Sequence, residues 1–208
     1  MIWDERYTTE EFIFGTSPNV FLHEWASLLP SGRVLCLADG EGRNSVFLAG
    51  LGFDLTAVDS SAVGLAKAQR LAENRGLSIT TVTADLADFP IAYESWDGVV
   101  SIFCHVPAPL RRTLHSQVVA GLKPGGVLIL EAYTPKQLEY GTGGPPNSDL
   151  MMTLADLRSE FAGLDIIHGV EVVRDVIEGT LHTGLGAVVQ VVARKKPGKI
   201  NQLHETNK

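Results

Sequence analysis

Two carboxylates, one on each side of a glycine, stand in one short loop, and that spacing limits which ligands the loop could hold. Residues 34–44 read VLCLADGEGRN, a buried-strand pattern followed by a glycine turn and the start of a helix. Proteins of the α/β class use this arrangement to hold a nucleotide-like ligand over a helix N-terminus. A helix N-terminus attracts phosphate, but Asp39 and Glu41 would repel a pyrophosphate. The loop therefore favours a ligand that carries positive charge.

Two further acids follow the next two predicted strands. Asp59 comes at the end of the second strand and Asp85 at the end of the third. Because the carboxyl ends of parallel strands meet at one edge of a sheet, both acids should line the same crevice. There Asp59 can accept hydrogen bonds from both hydroxyls of a ribose, and Asp85 can accept one from an adenine amine. The simpler interpretation makes Asp59 part of a helix cap with Ser60 or Ser61 and Asp85 an ordinary loop acid.

The elements that must position these acids alternate along the chain. Hydrophobic periodicity predicts strands at 33–38, 53–58, 78–83, 96–103 and 127–132, and helices at 18–29, 43–50, 61–75 and 109–121. Ser17 and Pro18 are the predicted cap and first residue of the first of these helices. The alternation predicts parallel βαβ units with right-handed crossovers.

The last third of the chain breaks this alternation. A loop rich in Gly and Pro over 134–150 precedes a predicted helix at 153–162 and strands near 164–177 and 181–194. Only three residues join these strands, which predicts an antiparallel hairpin. We expect a single domain over 1–196, with an N-terminal arm over 1–16, and a flexible tail over 197–208.

Composition and charge limit the classes of partner and the location that this protein could have. The chain has 208 residues and a formal net charge of −7, with a pI near 5.3, which disfavours a protein that binds nucleic-acid backbones. No apolar run approaches the roughly 20 residues that span a bilayer, and residues 1–7 lack the apolar core of a signal peptide. We expect a cytoplasmic protein, monomeric or weakly homodimeric, without a nucleic-acid or membrane partner. Cys36 and Cys104 are expected to be reduced core residues, and no metal site is predicted.

Together these motifs resemble a known family. The loop 38–42, Asp59, Asp85 and the LKPGG turn at 122–126 are similar to the ordered motifs of class I S-adenosylmethionine-dependent methyltransferases, over about residues 18–194. The LADGEGRN form at 37–44, the arm at 3–7 and the segment 141–145 look closer still to small methyltransferases of the tellurite-resistance and thiopurine type. S-adenosylmethionine also fits the acidic loop, because it carries an ammonium and a sulfonium but no phosphate.

The resemblance implies a fold and a cofactor site. The fold is an α/β, Rossmann-like, doubly wound sheet of seven strands in the order 3-2-1-4-5-7-6, mostly parallel with an antiparallel last strand, in three α/β/α layers. In the site, the small loop residues let the backbone approach the methionine part of S-adenosylmethionine, Asp59 binds the ribose, Asp85 binds the adenine amine and Phe103 lines the pocket. The complete predicted cofactor-binding set is Tyr7, Ala38, Asp39, Gly40, Gly42, Asp59, Ser60, Asp85, Leu86 and Phe103.

The chain departs from the family pattern at two positions. Cys36 stands where an acid is usual, and Ala38 replaces the first glycine. Alanine is small enough to be tolerated. The missing acid leaves two candidates for the partner of the cofactor ammonium, Asp39 and a backbone carbonyl.

Three residues are candidates for the acceptor side of the reaction. His105 follows the fourth strand, and His182 and Arg174 lie in the final hairpin. The resemblance to tellurite-type enzymes links a histidine and an arginine of this last region to the substrate, and histidine can take up a proton near pH 7. Each histidine could equally be a hydrogen-bonded strand-end residue, and Arg174 a surface charge. Amide methyltransferases have an Asn-Pro-Pro-Tyr-like segment after the fourth strand, whereas this chain has CHVP at 104–107, which argues against methylation of an amide nitrogen in protein or DNA. The expected substrate is a small molecule such as a thiol, selenol or metalloid oxyanion.

The aromatic residues of the arm have two interpretations. As a lid, Trp3, Tyr7, Phe12 or Phe14 would cover the cleft and place a π face near a sulfonium. As core residues, they would fasten the arm to the domain. Tyr7 is the preferred lid candidate.

Two other functions fit parts of the sequence. Gly40-x-Gly42-x-x-Ser45 imitates the fingerprint of nicotinamide-dependent oxidoreductases, although Ser45 stands where a third glycine or alanine belongs. A non-catalytic S-adenosylmethionine-binding protein is the other alternative, because no residue is unambiguously catalytic.

Overall fold

A computed structural model describes residues 2–179 and 182–197, without the side chains of Ile2 and His182. The helices are α1 (Ile2–Tyr7), α2 (Val20–Trp25), α3 (Arg43–Gly50), α4 (Ala62–Asn74), α5 (Ala108–Gly121) and α6 (Leu154–Glu160). The strands are β1 (Arg33–Leu37), β2 (Asp54–Asp59), β3 (Thr80–Thr83), β4 (Trp96–Ile102), β5 (Leu122–Tyr133), β6 (Leu164–Glu178) and β7 (His182–Lys195). The predicted tail lies outside the described residues from 198 onward.

All seven strands form one sheet in the order β3-β2-β1-β4-β5-β7-β6. The pairs within β3-β2-β1-β4-β5 are parallel, whereas β7 runs antiparallel to both β5 and β6. The predicted order and the predicted antiparallel hairpin are therefore confirmed. The carboxyl ends of β1, β2, β3, β4 and β5 meet at one edge of the sheet, which we call the carboxyl edge.

Helices cover both faces of the sheet. In β1, Val34 and Cys36 pack with α2 and α3 on one face, whereas Leu35 and Leu37 pack with α5 and α6 on the other. Because successive strand residues point to opposite faces, a strand buried on both faces reads as the continuous apolar run seen here. This packing gives the predicted three-layer α/β/α architecture.

Two predicted elements are placed differently. β5 begins at Leu122, so it includes the predicted turn at 122–126 that was expected to precede a strand at 127–132. The helix expected over 18–29 is α2, which spans only Val20–Trp25 and continues as a 3-10 turn over Ala26–Leu28. Its cap is Asn19, whose side chain accepts a hydrogen bond from the Leu22 N–H (2.9 Å), so the expected cap at Ser17 with proline as the first helical residue is wrong. Asparagine is as good an N-cap as serine, and Asn19 is also held by a distant glutamate of β5.

No helix in the part of the chain that the structure describes combines the length and the apolar character needed to cross a membrane.

Candidate active site

The glycine loop joins β1 to α3 through three residues with positive φ. Ala38, Gly40 and Gly42 have φ of 50°, 58° and 84°. A Cβ on Gly42 would come within 2.4 Å of the Ala68 Cβ on α4, so this position requires glycine for both its conformation and its packing. Gly42 is also the N-cap residue of α3. The loop therefore brings bare backbone to the carboxyl edge, as the sequence predicted.

Asp59 ends β2 directly beside this loop. Its Oδ2 accepts a hydrogen bond from the Gly40 N–H (2.9 Å), and its Oδ1 accepts one from the Ser61 N–H (2.8 Å). Burial raises the pKa of Asp59, although these N–H groups oppose the rise. Ser61, not Ser60, caps α4 by accepting from the Gly64 N–H. Asp59 therefore ties the glycine loop to the start of α4, the position from which its remaining lone pairs could meet a ribose.

Asp39 lies in the loop and is 9% exposed. Its Oδ2 accepts a 2.5 Å hydrogen bond from the Ser45 hydroxyl on α3. Burial raises the pKa of Asp39 to about 7, and the nearby Asp59 charge adds to that rise. Asp39 can therefore exchange between a neutral and an anionic form near physiological pH, and a ligand ammonium would favour the anion.

Glu41 does not face a ligand, contrary to the interpretation of the loop as a doubly acidic surface. It is 2% exposed and forms an ion pair with Lys67 of α4, and its Oε2 accepts from the Phe14 N–H (3.3 Å). The Lys67 ammonium also donates to the Thr9 and Glu11 carbonyls (2.9 and 2.6 Å). The negative charge available to a ligand is therefore that of Asp39 and Asp59, and Glu41 instead fastens the N-terminal arm.

Lys67 was missed in the sequence, although a signal for it exists. It falls between Gly64 and Leu71 at the helical spacing of α4 residues that are buried. A lysine on a buried stripe requires a partner, because an unpaired buried charge is costly.

Tyr7 covers the glycine loop from the arm. A Cβ built on Gly40 would lie 2.6 Å from the Tyr7 hydroxyl, and one built on Gly64 would lie 2.9 Å from the Tyr7 ring. Tyr7 stacks on Trp3 with ring centroids 5.8 Å apart. Tyr7 and Phe14 form an edge-to-face contact. Tyr7 is thus buried against the glycine loop, a position that fits a core residue as well as a lid, and its role as a lid stays a prediction.

Phe103, His105 and Tyr133 form an aromatic group at the ends of β4 and β5. Phe103 has a φ of 53° and its ring centroid lies 4.7 Å from that of Tyr133. His105 stacks on Tyr133 at 5.7 Å. The His105 Nδ1 contacts the Leu150 carbonyl (3.0 Å), and its Nε2 lies 3.5 Å from the Tyr133 N–H. Burial lowers the pKa of His105 to about 4, so this neutral ring holds the loop 134–150 in place and is poorly suited to act as a base.

Asp85, Leu86 and Ser60 lie near Asp59 at the same edge. The Asp59 carbonyl accepts from the Ala84 N–H (3.0 Å), which places Asp85 next to β2. Asp85 is exposed, and its Oδ1 accepts from the Ala87 N–H (2.9 Å). Its binding of an adenine amine stays a prediction, as do the roles of Leu86 and Ser60.

Arg174 is neither a surface charge nor a free anion ligand. Its Nε and Nη2 donate to the two oxygens of Glu131 (2.8 and 2.6 Å), and Nη2 also contacts Glu178 (3.1 Å). Glu131 and Glu178 are buried. Hydrogen bonds and the charges of these carboxylates raise the pKa of Arg174 against the effect of burial. Arg174 is therefore committed to a charged cluster beside the carboxyl edge.

The side chain of His182 lies outside the described part of the structure. Its backbone opens β7 and pairs with Glu178 of β6. Gly179, which follows Glu178, packs on the arm, because a Cβ on Gly179 would meet the Ile13 carbonyl oxygen at 2.2 Å. The substrate-side role of His182 stays a prediction.

Comparisons with known proteins find similarity to methyltransferases. Residues 34–126 match a family model described as Methyltransferase domain. YbaJ of Bacillus subtilis (strain 168), an uncharacterized methyltransferase, is 32% identical over 120 residues, which cover 57% of this chain and 47% of YbaJ. The glycine/sarcosine N-methyltransferase of Halorhodospira halochloris is 35% identical over 154 residues, covering 62% of this chain and 55% of that protein. The chain thus spans about half the length of the curated relatives it matches.

Solved structures share the fold over nearly the whole chain. TehB from Haemophilus influenzae superposes with a TM-score of 0.71 and 20% identity, covering 93% of this chain and 66% of TehB. The loop that the family model includes is the one that Asp59 and Tyr7 enclose, and its bare backbone and acids fit a cationic nucleoside. Residues 34–126 therefore match a methyltransferase domain, and they lie within the fold that solved structures of S-adenosylmethionine-dependent methyltransferases share.

Proposed function

We propose that this protein transfers the methyl group of S-adenosylmethionine to a small-molecule acceptor. The observation that carries the proposal is the enclosure of the carboxyl edge. The arm covers the glycine loop through Tyr7, and the hairpin end meets the arm at Gly179. An edge closed in this way suits a small acceptor better than a protein or nucleic-acid surface.

The chemistry needs little from the protein beyond alignment. Bound S-adenosylmethionine supplies an activated methyl group on a neutral leaving group. The residues of the chain orient the reactants and exclude water, which are the main contributions to such a displacement. Asp39 and Asp59 would hold the cationic and ribose parts of the cofactor. The aromatic group of Phe103 and Tyr133 would wall the space next to the acceptor.

The acceptor class is a thiol, a selenol or a metalloid oxyanion, since these nucleophiles react without a strong base. The likeness to TehB supports the tellurite-resistance type, and the name of the glycine/sarcosine N-methyltransferase adds amino-acid amines to the acceptors worth testing. The methyltransferase-domain match outweighs the nicotinamide alternative. A monomeric or weakly dimeric, cytoplasmic protein without nucleic-acid or membrane partners remains part of this proposal.

The test is an acceptor screen with S-adenosylhomocysteine production as the readout. Thiols, selenite, tellurite, glycine and sarcosine would each be supplied with S-adenosylmethionine. Turnover with one of these acceptors is the expected result. Cofactor binding without product from any acceptor would instead favour a non-catalytic S-adenosylmethionine-binding protein.

With the acceptor in hand, we expect His182→Ala to lower turnover and to leave the affinity for S-adenosylhomocysteine unchanged. A positioned proton acceptor typically contributes about 10²- to 10⁴-fold to rate. His23→Ala is the matched control, because His23 is exposed on α2 and its ring lies against Phe47. Equal turnover of the His182→Ala variant and the control would remove His182 from the acceptor site.

A further inference from the structure

Two arginines and two glutamates form a buried charged cluster beside the glycine loop. The cluster comprises Arg43, Glu131, Arg174 and Glu178. The Arg43 Nη2 donates to the Glu178 Oε2 (2.5 Å), and Arg174 bridges the two carboxylates. The Asn19 amide donates to the Glu131 Oε2 (2.6 Å) and to the Glu178 Oε1 (2.8 Å). The formal charge of the cluster is zero, and each carboxylate oxygen accepts at least one hydrogen bond.

One donor of this cluster has no partner. The Arg43 Nη1 is buried without a hydrogen-bond acceptor among the described residues, and the side chain is 8% exposed. A buried donor that makes no hydrogen bond is unfavourable for stability, and more so when the donor is charged. The Arg43 Nη1 stands apart from the unpartnered Trp96 Nε1, Gln117 Oε1 and His168 Nε2, because Arg43 directly follows Gly42 as the first residue of α3.

The charge of Arg43 acts on both the glycine loop and the aromatic group at the ends of β4 and β5. Burial raises the pKa of Tyr133 to about 12, and the charges of Glu178, Arg174, Glu131 and Arg43 also act on this phenol. The Arg43 charge likewise acts on Asp39. Arg43 adjoins the glycine loop through Gly42, and the cluster lies next to the aromatic group because the Glu131 carbonyl accepts a hydrogen bond from the Phe103 N–H (2.7 Å).

We propose that the Arg43 Nη1 donates a hydrogen bond to an anionic oxygen of a small molecule held at the carboxyl edge. Arginine is suited to this role because its N–H groups form a rigid fork, so that Nη2 stays on Glu178 while Nη1 points elsewhere. The ligand group is a carboxylate or a comparable oxyanion, since hydrogen bonds between two charged groups are the strong ones.

Two molecules could supply that oxygen. One is the methionine carboxylate of S-adenosylmethionine, and the other is an anionic group on the acceptor. Only the second source rests on the proposed function. The cofactor titrations below need no acceptor, so a failed acceptor screen and a failed role for Arg43 can be told apart.

The test compares titrations of wild-type protein, Arg43→Gln and Arg43→Lys with S-adenosylmethionine and with decarboxylated S-adenosylmethionine. If Arg43 holds the cofactor carboxylate, Arg43→Gln should weaken S-adenosylmethionine binding by about tenfold to a hundredfold. Decarboxylated S-adenosylmethionine should bind the wild type and the variant equally well. Arg43→Lys, which keeps the charge but loses the fork, should fall between the two.

If Arg43 holds the acceptor instead, both cofactor affinities stay unchanged, and Arg43→Gln raises the KM of an anionic acceptor by a similar factor at constant kcat. Unchanged cofactor affinities together with an unchanged KM would overturn the proposal and would indicate that a buried water satisfies the donor.

The controls separate binding from folding. Arg111→Gln removes another buried arginine, which is fully engaged with Glu160 and the Met151 carbonyl, so it should lower stability and leave cofactor affinity unchanged. The double variant Arg43→Gln, Glu178→Gln removes the ion pair without leaving a lone buried charge. If the single variant does not fold, the double variant should show the same loss of cofactor affinity or the same rise in KM, and wild-type values of both in a folded double variant would equally overturn the proposal.

Discussion

Replacing Asp59 with asparagine tests how the cofactor edge is built. The two carboxylate oxygens accept from the Gly40 N–H at 2.9 Å and from the Ser61 N–H at 2.8 Å. Asparagine has one acceptor oxygen and one NH2 group, so in either orientation one of these backbone donors faces another donor. Because Asp59 is 7% exposed, water cannot easily repair the loss.

The magnitude follows from these two bonds. A hydrogen bond to a charged group contributes about 1.5–3 kcal/mol, so Asp59→Asn should lower the free energy of unfolding by about that amount. A ribose hydroxyl would in addition meet a neutral oxygen, and neutral hydrogen bonds are roughly half as strong as charge-assisted ones. We therefore expect affinity for S-adenosylhomocysteine to fall by about tenfold, which corresponds to about 1.4 kcal/mol.

The assay is urea unfolding together with calorimetric titration of S-adenosylhomocysteine at pH 8. Asp54→Asn is the matched control, because Asp54 begins the same strand, is exposed and lies 4.0 Å from Arg33 in a loose ion pair. That control should change neither quantity by more than about 0.5 kcal/mol. Wild-type affinity in the Asp59→Asn variant would refute the role of Asp59 in the cofactor site, and wild-type stability would refute the hydrogen-bond reasoning.

Two other predictions concern the buried acids of the loop. Lys67→Met should destabilise the protein by about 3–5 kcal/mol, because it leaves the Glu41 carboxylate buried without its cation. Adding Glu41→Gln should recover part of the lost stability, as measured by urea unfolding. An equal loss of stability in the double variant would contradict the ion pair between Lys67 and Glu41. Asp39 should make stability fall as pH rises, because burial raises its pKa in the folded protein to about 7, above the value of about 3.9 in unfolded chains. Its contribution is thus fully present below about pH 4 and is lost as pH rises toward 7, so urea unfolding from pH 4.5 to 8 should show a slope that Asp39→Asn reduces. An unchanged slope would show that Asp39 titrates normally.

The architecture could be predicted because it depends on short-range patterns. Continuous apolar runs marked β1 and β4 as strands buried on both faces, and the three-residue connection before His182 forced an antiparallel hairpin. The glycine loop and Asp59 were predicted to meet for the same reason, since consecutive parallel strands end at one edge of the sheet. The start of α2 was predicted wrongly because Ser17 and Asn19 are both good caps, and the contact between Asn19 and Glu131 decides between them.

The partners of the charged side chains could not be predicted from short-range patterns. The sequence by itself determined which acids lie in the loop, but the partner of Glu41 is on α4, and the partners of Arg43 and Asn19 lie 135 and 159 residues away in Glu178. Whether a carboxylate faces a ligand or a buried cation depends on which side chains the packed sheet brings within a few ångströms, because electrostatic interaction is strong only at such distances in the interior. The tertiary structure alone decided that Glu41 secures the arm, that Arg174 is committed to two glutamates, and that Arg43 retains a donor.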